Sequence, residues 1–208
     1  MSHNKGKLYV ISGPSGTGKG TICAELLKDA GNEFSVSMTT RGPREGEVHS
    51  KDYYFVSREE FLENVDKGNF LEHATVFDNF NGTPKDMVMK RLDRGRNVIL
   101  DIDVQGGLLV KAAMPEAILI FLLPPSLTEL RQRLEGRKTE APEIIEKRLS
   151  KALEEIKFIG EYDYYIVNDD LEKAVLEVKS IVTAEAARVP EKVRPIIRKY
   201  EQEQEKGE

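Results

Sequence analysis

Nine residues restrict this chain more than any others: Gly13-Pro14-Ser15-Gly16-Thr17-Gly18-Lys19-Gly20-Thr21. A short apolar run, Leu8 to Ile11, precedes them, and a helix-like segment, Ile22 to Lys28, follows. A glycine-rich turn between a strand and a helix lets successive backbone N–H groups converge on an anion at the helix N-terminus. Gly13, Gly18 and Lys19 hold the spacing G-x-x-x-x-G-K, in which the lysine is the point charge that reaches the outer phosphates. With strand, turn, helix and lysine all in place, the stretch implies a nucleoside triphosphate site. A chance glycine turn with a surface lysine is the weaker alternative.

Composition narrows what can surround that loop. At 208 residues, with 39% hydrophobic and 32% charged, the chain is expected to form one well-solvated domain with a sizeable core. The longest apolar run, Ala117 to Leu123, is far short of the ~20 residues of a membrane helix. The single cysteine, Cys23, excludes an intramolecular disulfide, and with three scattered histidines leaves no zinc-ligand pattern. A formal net charge of −5 argues against general nucleic-acid binding. Met1 to Lys7 leads directly into the first strand with no signal-peptide pattern, so a cytoplasmic location is expected.

Along the chain, Phe34 to Met38 alternates like a strand, and Asp52 to Val56 is aromatic and β-branched. Ser57 and Glu60 stand in a capping-box spacing for a helix through Lys67, and another strand is expected over Phe70 to Val76. Asn79 to Gly82 reads as a turn, with Thr83-Pro84 opening a helix. Apolar runs then emerge at Asn97–Asp103, Ala117–Leu122 and Tyr164–Val167, separated by helical segments. This alternation implies an α/β fold, a parallel sheet with helices on both faces. The segment 39–90 breaks the rhythm and reads as an insertion over the carboxyl ends of the core strands. The tail from Pro190 is strongly charged, and its end, from Glu201, is expected to be frayed or disordered.

Three constellations can carry chemistry. Arg41 and Arg44 flank Gly42-Pro43, with Tyr53 beyond, a pattern that can grip one phosphate with two guanidinium forks and a phenol. Asp101 and Asp103 end a strand where the glycine loop opens; they can hold magnesium or its waters, hydrogen-bond an acceptor base, or form a structural ion pair. Arg131, Arg133, Arg137 and Arg148 lie on a helix-loop-helix in which Gly136 is a natural hinge for a lid. No general base stands out. A phosphate monoester with a second pKa near ~6 is already mostly ionised at neutral pH, so a kinase acting on one needs positioning and charge neutralisation rather than proton abstraction.

The segments Ser12–Lys19, Ser37–Glu47, Lys51–Tyr53, Leu100–Gly106, Leu123–Ser126, Arg133–Arg137 and Val167–Asp170 together resemble the guanylate kinases, a branch of the nucleoside monophosphate kinases. The resemblance runs from Leu8 to Ala187. It implies a three-layer P-loop nucleoside monophosphate kinase fold with core 1–38, 91–125 and 156–190, a GMP-binding insert 39–90 and a helical lid 126–155. It also implies transfer of a phosphoryl group from ATP to GMP with Mg2+. By that likeness Gly13 to Thr21, Arg133, Arg137 and Asn168 fall on ATP-binding positions. Ser37, Arg41, Arg44, Tyr53 and Asn81 fall on GMP-phosphate positions; Glu72, Thr83 and Asp103 fall on those that read guanine. Lys19, Arg44, Arg137 and Arg148 are the catalytic candidates, and Thr21 and Asp101, directly or through water, the metal candidates. The resemblance further implies GMP and ATP as partners, neither nucleic acid nor membrane, and a monomer or homodimer.

Three positions depart from the family pattern. Gly20 replaces the usual Ser or Thr, which removes a metal-binding hydroxyl; Asn81 stands for a tyrosine; Lys138 stands for a lid glycine. An AMP-specific kinase and a catalytically silent guanylate kinase-like scaffold module are the alternatives. Glu72 with Thr83 favours guanine, and the intact Lys19 and arginines favour an enzyme.

Overall fold

The apolar runs come together as one parallel sheet in the computed structural model, which describes residues 5–76, 78–136, 142–189 and 193–205. The first half of the chain contains β1 (Leu8–Ser12), α1 (Lys19–Leu26), β2 (Asn32–Phe34), β3 (Met38–Thr39) and β4 (Tyr54–Phe55). Next come α2 (Arg58–Asp66), β5 (Phe70–Val76), β6 (Asn79–Pro84), α3 (Lys85–Asp93) and β7 (Asn97–Asp101). The second half adds α4 (Val104–Ala113), β8 (Ile118–Leu123), α5 (Leu127–Glu135) and α6 (Pro142–Ile156). A 3-10 turn, Lys157–Glu161, then leads into β9 (Tyr164–Val167), α7 (Leu171–Ala186) and α8 (Arg194–Glu205).

The main sheet has the order β2-β7-β1-β8-β9, every neighbouring pair parallel. Its central strands are apolar on both faces because helices cover both. Tyr9 and Ile11 of β1 face α1 and α7, packing with Ile22, Cys23, Leu26, Ala174 and Val178. Leu8 and Val10 face α3 and α4, packing with Val88, Leu92, Val110 and Met114. Cys23 is a buried core residue, and burial pushes its thiol pKa up, so it is held as an inert thiol. The glycine loop leaves β1 at the carboxyl edge of this sheet, and Asp101 lies beside Ile11 in register.

The loop begins at a position that only glycine fills. Gly13 has φ +143°, and a Cβ there would lie 2.2 Å from the Leu122 carbonyl oxygen, a backbone atom that cannot swing aside. Gly13→Ala is therefore expected to destabilise the fold by about 3 kcal/mol, read as a lower melting temperature; an unchanged value would show that the loop re-forms around a side chain.

A second sheet, β4-β3-β6-β5, occupies part of the 39–90 segment. Phe61 of α2, fully buried, stacks on Phe70 of β5 and Phe80 of β6, with ring centroids 4.6 and 5.4 Å away. This aromatic sandwich ties α2 to the β5–β6 hairpin, while β5 also packs on α4 and so connects the two sheets.

Three local expectations are corrected. The single strand Phe34–Met38 is two strands in different sheets: Ser35 still donates to Ile99, but Ser37 already accepts from Tyr54. Residues Asn79 to Gly82 are strand, not turn, because Gly82 must lie flat beneath Phe70, where a Cβ would meet the ring at 2.9 Å. Thr83 consequently sits in β6, and Pro84 takes the cap position of α3 without a side-chain bond. The tail is helical as α8, with Ile196, Ile197 and Tyr200 at helical spacing; its last three residues, 206–208, lie outside the described residues. By contrast Ser57 caps α2 as its spacing predicts, accepting from the N–H three residues on at 3.1 Å, and Ser126 and Asp170 cap α5 and α7 in the same way at 3.0 and 2.8 Å.

Candidate active site

The glycine loop forms the floor of a cleft of about 420 Å³ lined by Gly13, Ser15, Gly16, Gly18, Lys19, Gly20 and Thr21, with Asp101, Ile102 and Asp103 as one wall and Lys151 and Glu155 as another. Gly16 and Gly18 line the cleft with φ near +90°, the left-handed conformation from which anion-binding nests of backbone N–H groups are built. The loop is held from behind. Asn168 is buried, donates from Nδ2 to the Thr17 carbonyl at 2.8 Å, and stands where a Cβ on Gly18 would be 2.5 Å away. Arg133 in turn donates to the Asn168 carbonyl at 2.9 Å and to Glu129 at 3.0 Å. Thr17 turns its hydroxyl back to the Pro14 carbonyl at 2.9 Å. Thus Pro14 and Thr17, within the loop, and Asn168 and Arg133, behind it, do not line the cleft, although all four fall on sequence-expected ATP-binding positions.

Lys19 extends along the loop and donates to the Gly13 and Pro14 carbonyls at 2.7 and 3.1 Å. Burial pushes its pKa down, an effect that Asp101 chiefly opposes. Burial likewise raises Asp101, against which only Lys19 pulls, and among the described residues no hydrogen bond reaches its carboxylate. A Cβ on Gly20 would lie 3.7 Å from Asp101 Oδ2, so the glycine leaves open space next to that oxygen.

A second cavity, about 160 Å³, is lined by Ser37, Tyr53, Glu72, Ala74, Asn81, Gly82 and Gly106, together with the same Asp101, Ile102 and Asp103. Glu72 projects from β5 and is buried; its Oε1 accepts from Thr83 Oγ1 at 2.7 Å. Burial raises the Glu72 pKa, with Asp103 adding to the rise and Thr83 opposing it. Asp103 caps α4 through a 2.8 Å bond from the Gly106 N–H. Behind this corner Ser12 donates to the Asp103 carbonyl at 3.3 Å and Tyr162 to the Val104 carbonyl at 3.2 Å. Gly107 makes that approach feasible, since a Cβ there would lie 2.6 Å from the Tyr162 oxygen.

Thr83 therefore acts on this cavity through Glu72 rather than lining it. Arg41 is held away from it in a two-pronged pair with Glu47 at 2.8 and 2.9 Å and lies over Tyr53, 5.3 Å from the ring centroid. That pair holds the Glu47 carboxyl down at about 2. Arg44 is exposed, and its backbone N–H donates to the same Glu47 at 2.7 Å. Arg148 reaches across from α6 to Ser15 Oγ at 3.1 Å, bringing that helix over the loop. Arg131 is engaged with Glu146 between α5 and α6. Arg137 and Lys138 lie outside the described residues. Lys151 and Glu155 escaped sequence reading; their only signal is the spacing of three and seven residues from Arg148 along one helix face.

Two clefts on opposite sides of the Asp101–Asp103 corner, one floored by an anion-binding loop, suit transfer of a phosphoryl group between two bound molecules. The family model for guanylate kinase matches residues 5–185. The chain belongs to the guanylate kinase family. Guanylate kinases transfer a phosphoryl group from ATP to GMP, giving ADP and GDP, and the chain is an enzyme of that family. It is 50% identical over 204 residues to the guanylate kinase of Clostridioides difficile, covering 98% of this chain and 100% of that one. To the guanylate kinase of Caldanaerobacter subterraneus it is 49% identical over 186 residues, 89% of this chain and 90% of the relative. The crystal structure of the Anaplasma phagocytophilum guanylate kinase matches with a TM-score of 0.72 at 37% identity, covering 89% of each chain. Among the described residues no helix is long and apolar enough to cross a membrane.

Proposed function

We propose that the glycine-loop cleft takes ATP, that the Glu72 cavity takes GMP, and that transfer occurs between them at the Asp101–Asp103 corner. The observation that carries this reading is the shared wall: the same three residues, Asp101 to Asp103, line both cavities. In this assignment the loop N–H groups and Lys19 hold the outer phosphates. Ser37, Tyr53 and Asn81 face the acceptor's phosphate and ribose, and Glu72, seated on Thr83, accepts from the guanine N1–H and exocyclic amine. Arg41 leaves Glu47 to join Arg44 on the acceptor phosphate. Exchanging one anionic partner for another at similar depth makes that move feasible without stranding the guanidinium. Asn168 and Arg133 serve by keeping the loop in shape, while Arg148, together with Arg137, supplies lid charge to the transferring group.

The acceptor needs no base at neutral pH, because its phosphate oxygen is already ionised. Residues 39–90 form the acceptor insert, 126–155 the lid, and the remainder up to 190 the core.

Magnesium fits the donor side. A magnesium ion on a nucleotide typically needs one or two carboxylates, with phosphates and water completing its shell. Asp101 offers a carboxylate that burial leaves under-compensated, beside the open space at Gly20. Asp101 would hold the ion, with Thr21 at the edge of the same cleft; when bound, it neutralises charge on the outer phosphates.

A coupled ADP-release assay comparing GMP with AMP tests the assignment. GMP is expected to be turned over at least ~100-fold more efficiently, since adenine would leave the buried Glu72 carboxylate without its donors. Preferential turnover of AMP would overturn the guanine assignment, and no turnover of either would favour a silent binding module.

A further inference from the structure

The wall of the ATP cleft opposite Asp101 is built by α6, and it carries a cation that the assignments above leave unused. Arg148, Lys151 and Glu155 lie at i, i+3 and i+7 on this helix, which places them on one face. Arg148 fixes that face against the loop through Ser15. Lys151 and Glu155 are the two α6 residues that line the cleft together with Lys19, Gly18 and Asp103. Their side chains pair at 3.5 Å, but the two ends of the pair differ: the Lys151 side chain is 69% exposed and that of Glu155 13%. An exposed lysine on a four-carbon stem pays little to change partners, whereas the shielded carboxylate stays where it is. Because the pair shares the lining of the cleft with Lys19 and Asp103, the resting position of the Lys151 ammonium is at the phosphate cleft.

We propose that Lys151 is a further catalytic cation of the phosphoryl transfer, held by Glu155 in the ligand-free enzyme and passing to the outer phosphates of the bound triphosphate. A triphosphate brings several negative charges to a place where Glu155 offers one, so the ammonium exchanges a single weak ion pair for a stronger one. Lys19 is the cation that still acts on Glu155 once Lys151 has left. A lysine suits this task better than an arginine, because a compact ammonium can follow the phosphoryl group as it moves between oxygens, without the fixed fork of a guanidinium. The inference rests on the glycine-loop cleft taking ATP.

Steady-state kinetics of wild type, Lys151→Gln and Lys151→Arg, with melting temperatures for all three, test it. Lys151→Gln is expected to lower kcat about tenfold, with KM for GMP changed less than about twofold and an unchanged melting temperature. Lys151→Arg, which keeps the charge, is expected to recover most of that loss. A Lys151→Gln enzyme with wild-type kcat, or a loss that Lys151→Arg does not recover, would overturn the proposal. So would a loss matched by a fall in melting temperature, which would mark the pair as a helix-stabilising contact. Failure of the wild type itself to phosphorylate GMP would instead defeat the functional assignment, so the two failures are distinguishable.

Discussion

Lys19→Ala is expected to lower kcat by about 10³-fold while leaving the fold intact. In the ligand-free state the Lys19 ammonium bonds to the Gly13 and Pro14 carbonyls, both part of the loop that also presents the anion-binding N–H groups. That arrangement does two things. It holds a cation along the floor of the cleft before any phosphate arrives, and it uses backbone acceptors that the lysine can release without stranding a buried charge. Burial lowers the Lys19 pKa, and Asp101 is the main group that opposes the shift. The charge that builds on the transferring phosphoryl oxygens then meets a donor already in place, which is where electrostatic catalysis gains most. The alanine variant keeps every backbone donor and should still bind ATP, more weakly; binding and turnover measured separately will show a larger loss in kcat than in affinity. A kcat within tenfold of wild type would mean that the phosphates lie elsewhere.

How much of this was legible in the sequence depended on whether the cause was local. The glycine loop, the caps at Ser57, Ser126 and Asp170, and the doubly apolar β8 follow from short-range chemistry: a left-handed backbone, a side chain bonding three residues on, and burial on both faces. The missed features depend on partners far along the chain. Asn79 to Gly82 has turn-forming composition but becomes strand because Gly82 lies beneath Phe70 and Asn81 pairs with Ala74. The Phe34–Met38 alternation runs unbroken in sequence although its two ends pair with different sheets, at Ile99 and at Tyr54. Asn168 sits next to two aspartates in a loop, and nothing local reveals that its amide supports Thr17, 151 residues away. Arg41 is a nearer case: its ligand-free partner, Glu47, lies six residues on within the same Ser37–Glu47 segment, and the spacing alone does not show that the two side chains pair. Local spacing thus nominates the candidate site groups, and tertiary contacts decide how those groups are held in the ligand-free protein.

Glu72 is where that distinction has the largest consequence for specificity. Its Oε1 is already satisfied by Thr83, and a Cβ on Gly106 would lie 3.6 Å from its Oε2, so the second oxygen faces the α4 corner that lines the cavity. Burial makes the ionised form costly in the absence of ligand. In the proposed assignment guanine supplies the compensation with two donors on one edge, and Glu72→Ala is expected to reduce kcat/KM for GMP about 10³-fold with ATP affinity unchanged within about twofold. Glu72→Gln should lose nearly as much, because an amide cannot accept from both donors through equivalent oxygens. The raised pKa adds a pH signature with a definite sign. Below it the free enzyme carries a proton that guanine must displace, so GMP binding releases a proton and affinity rises with pH until the carboxyl is ionised unaided. The same shift means the native state holds that proton more tightly than the unfolded chain, so Glu72 costs stability as pH rises past the unfolded carboxyl value. Because the GMP phosphate titrates as well, the measurement is the difference between wild type and Glu72→Gln in GMP affinity across mildly acidic to neutral pH. The wild type should show the steeper rise, and equal slopes would mean that residue 72 does not read the base. Collapse of ATP affinity with GMP affinity intact would place residue 72 on the other side of the Asp101–Asp103 wall.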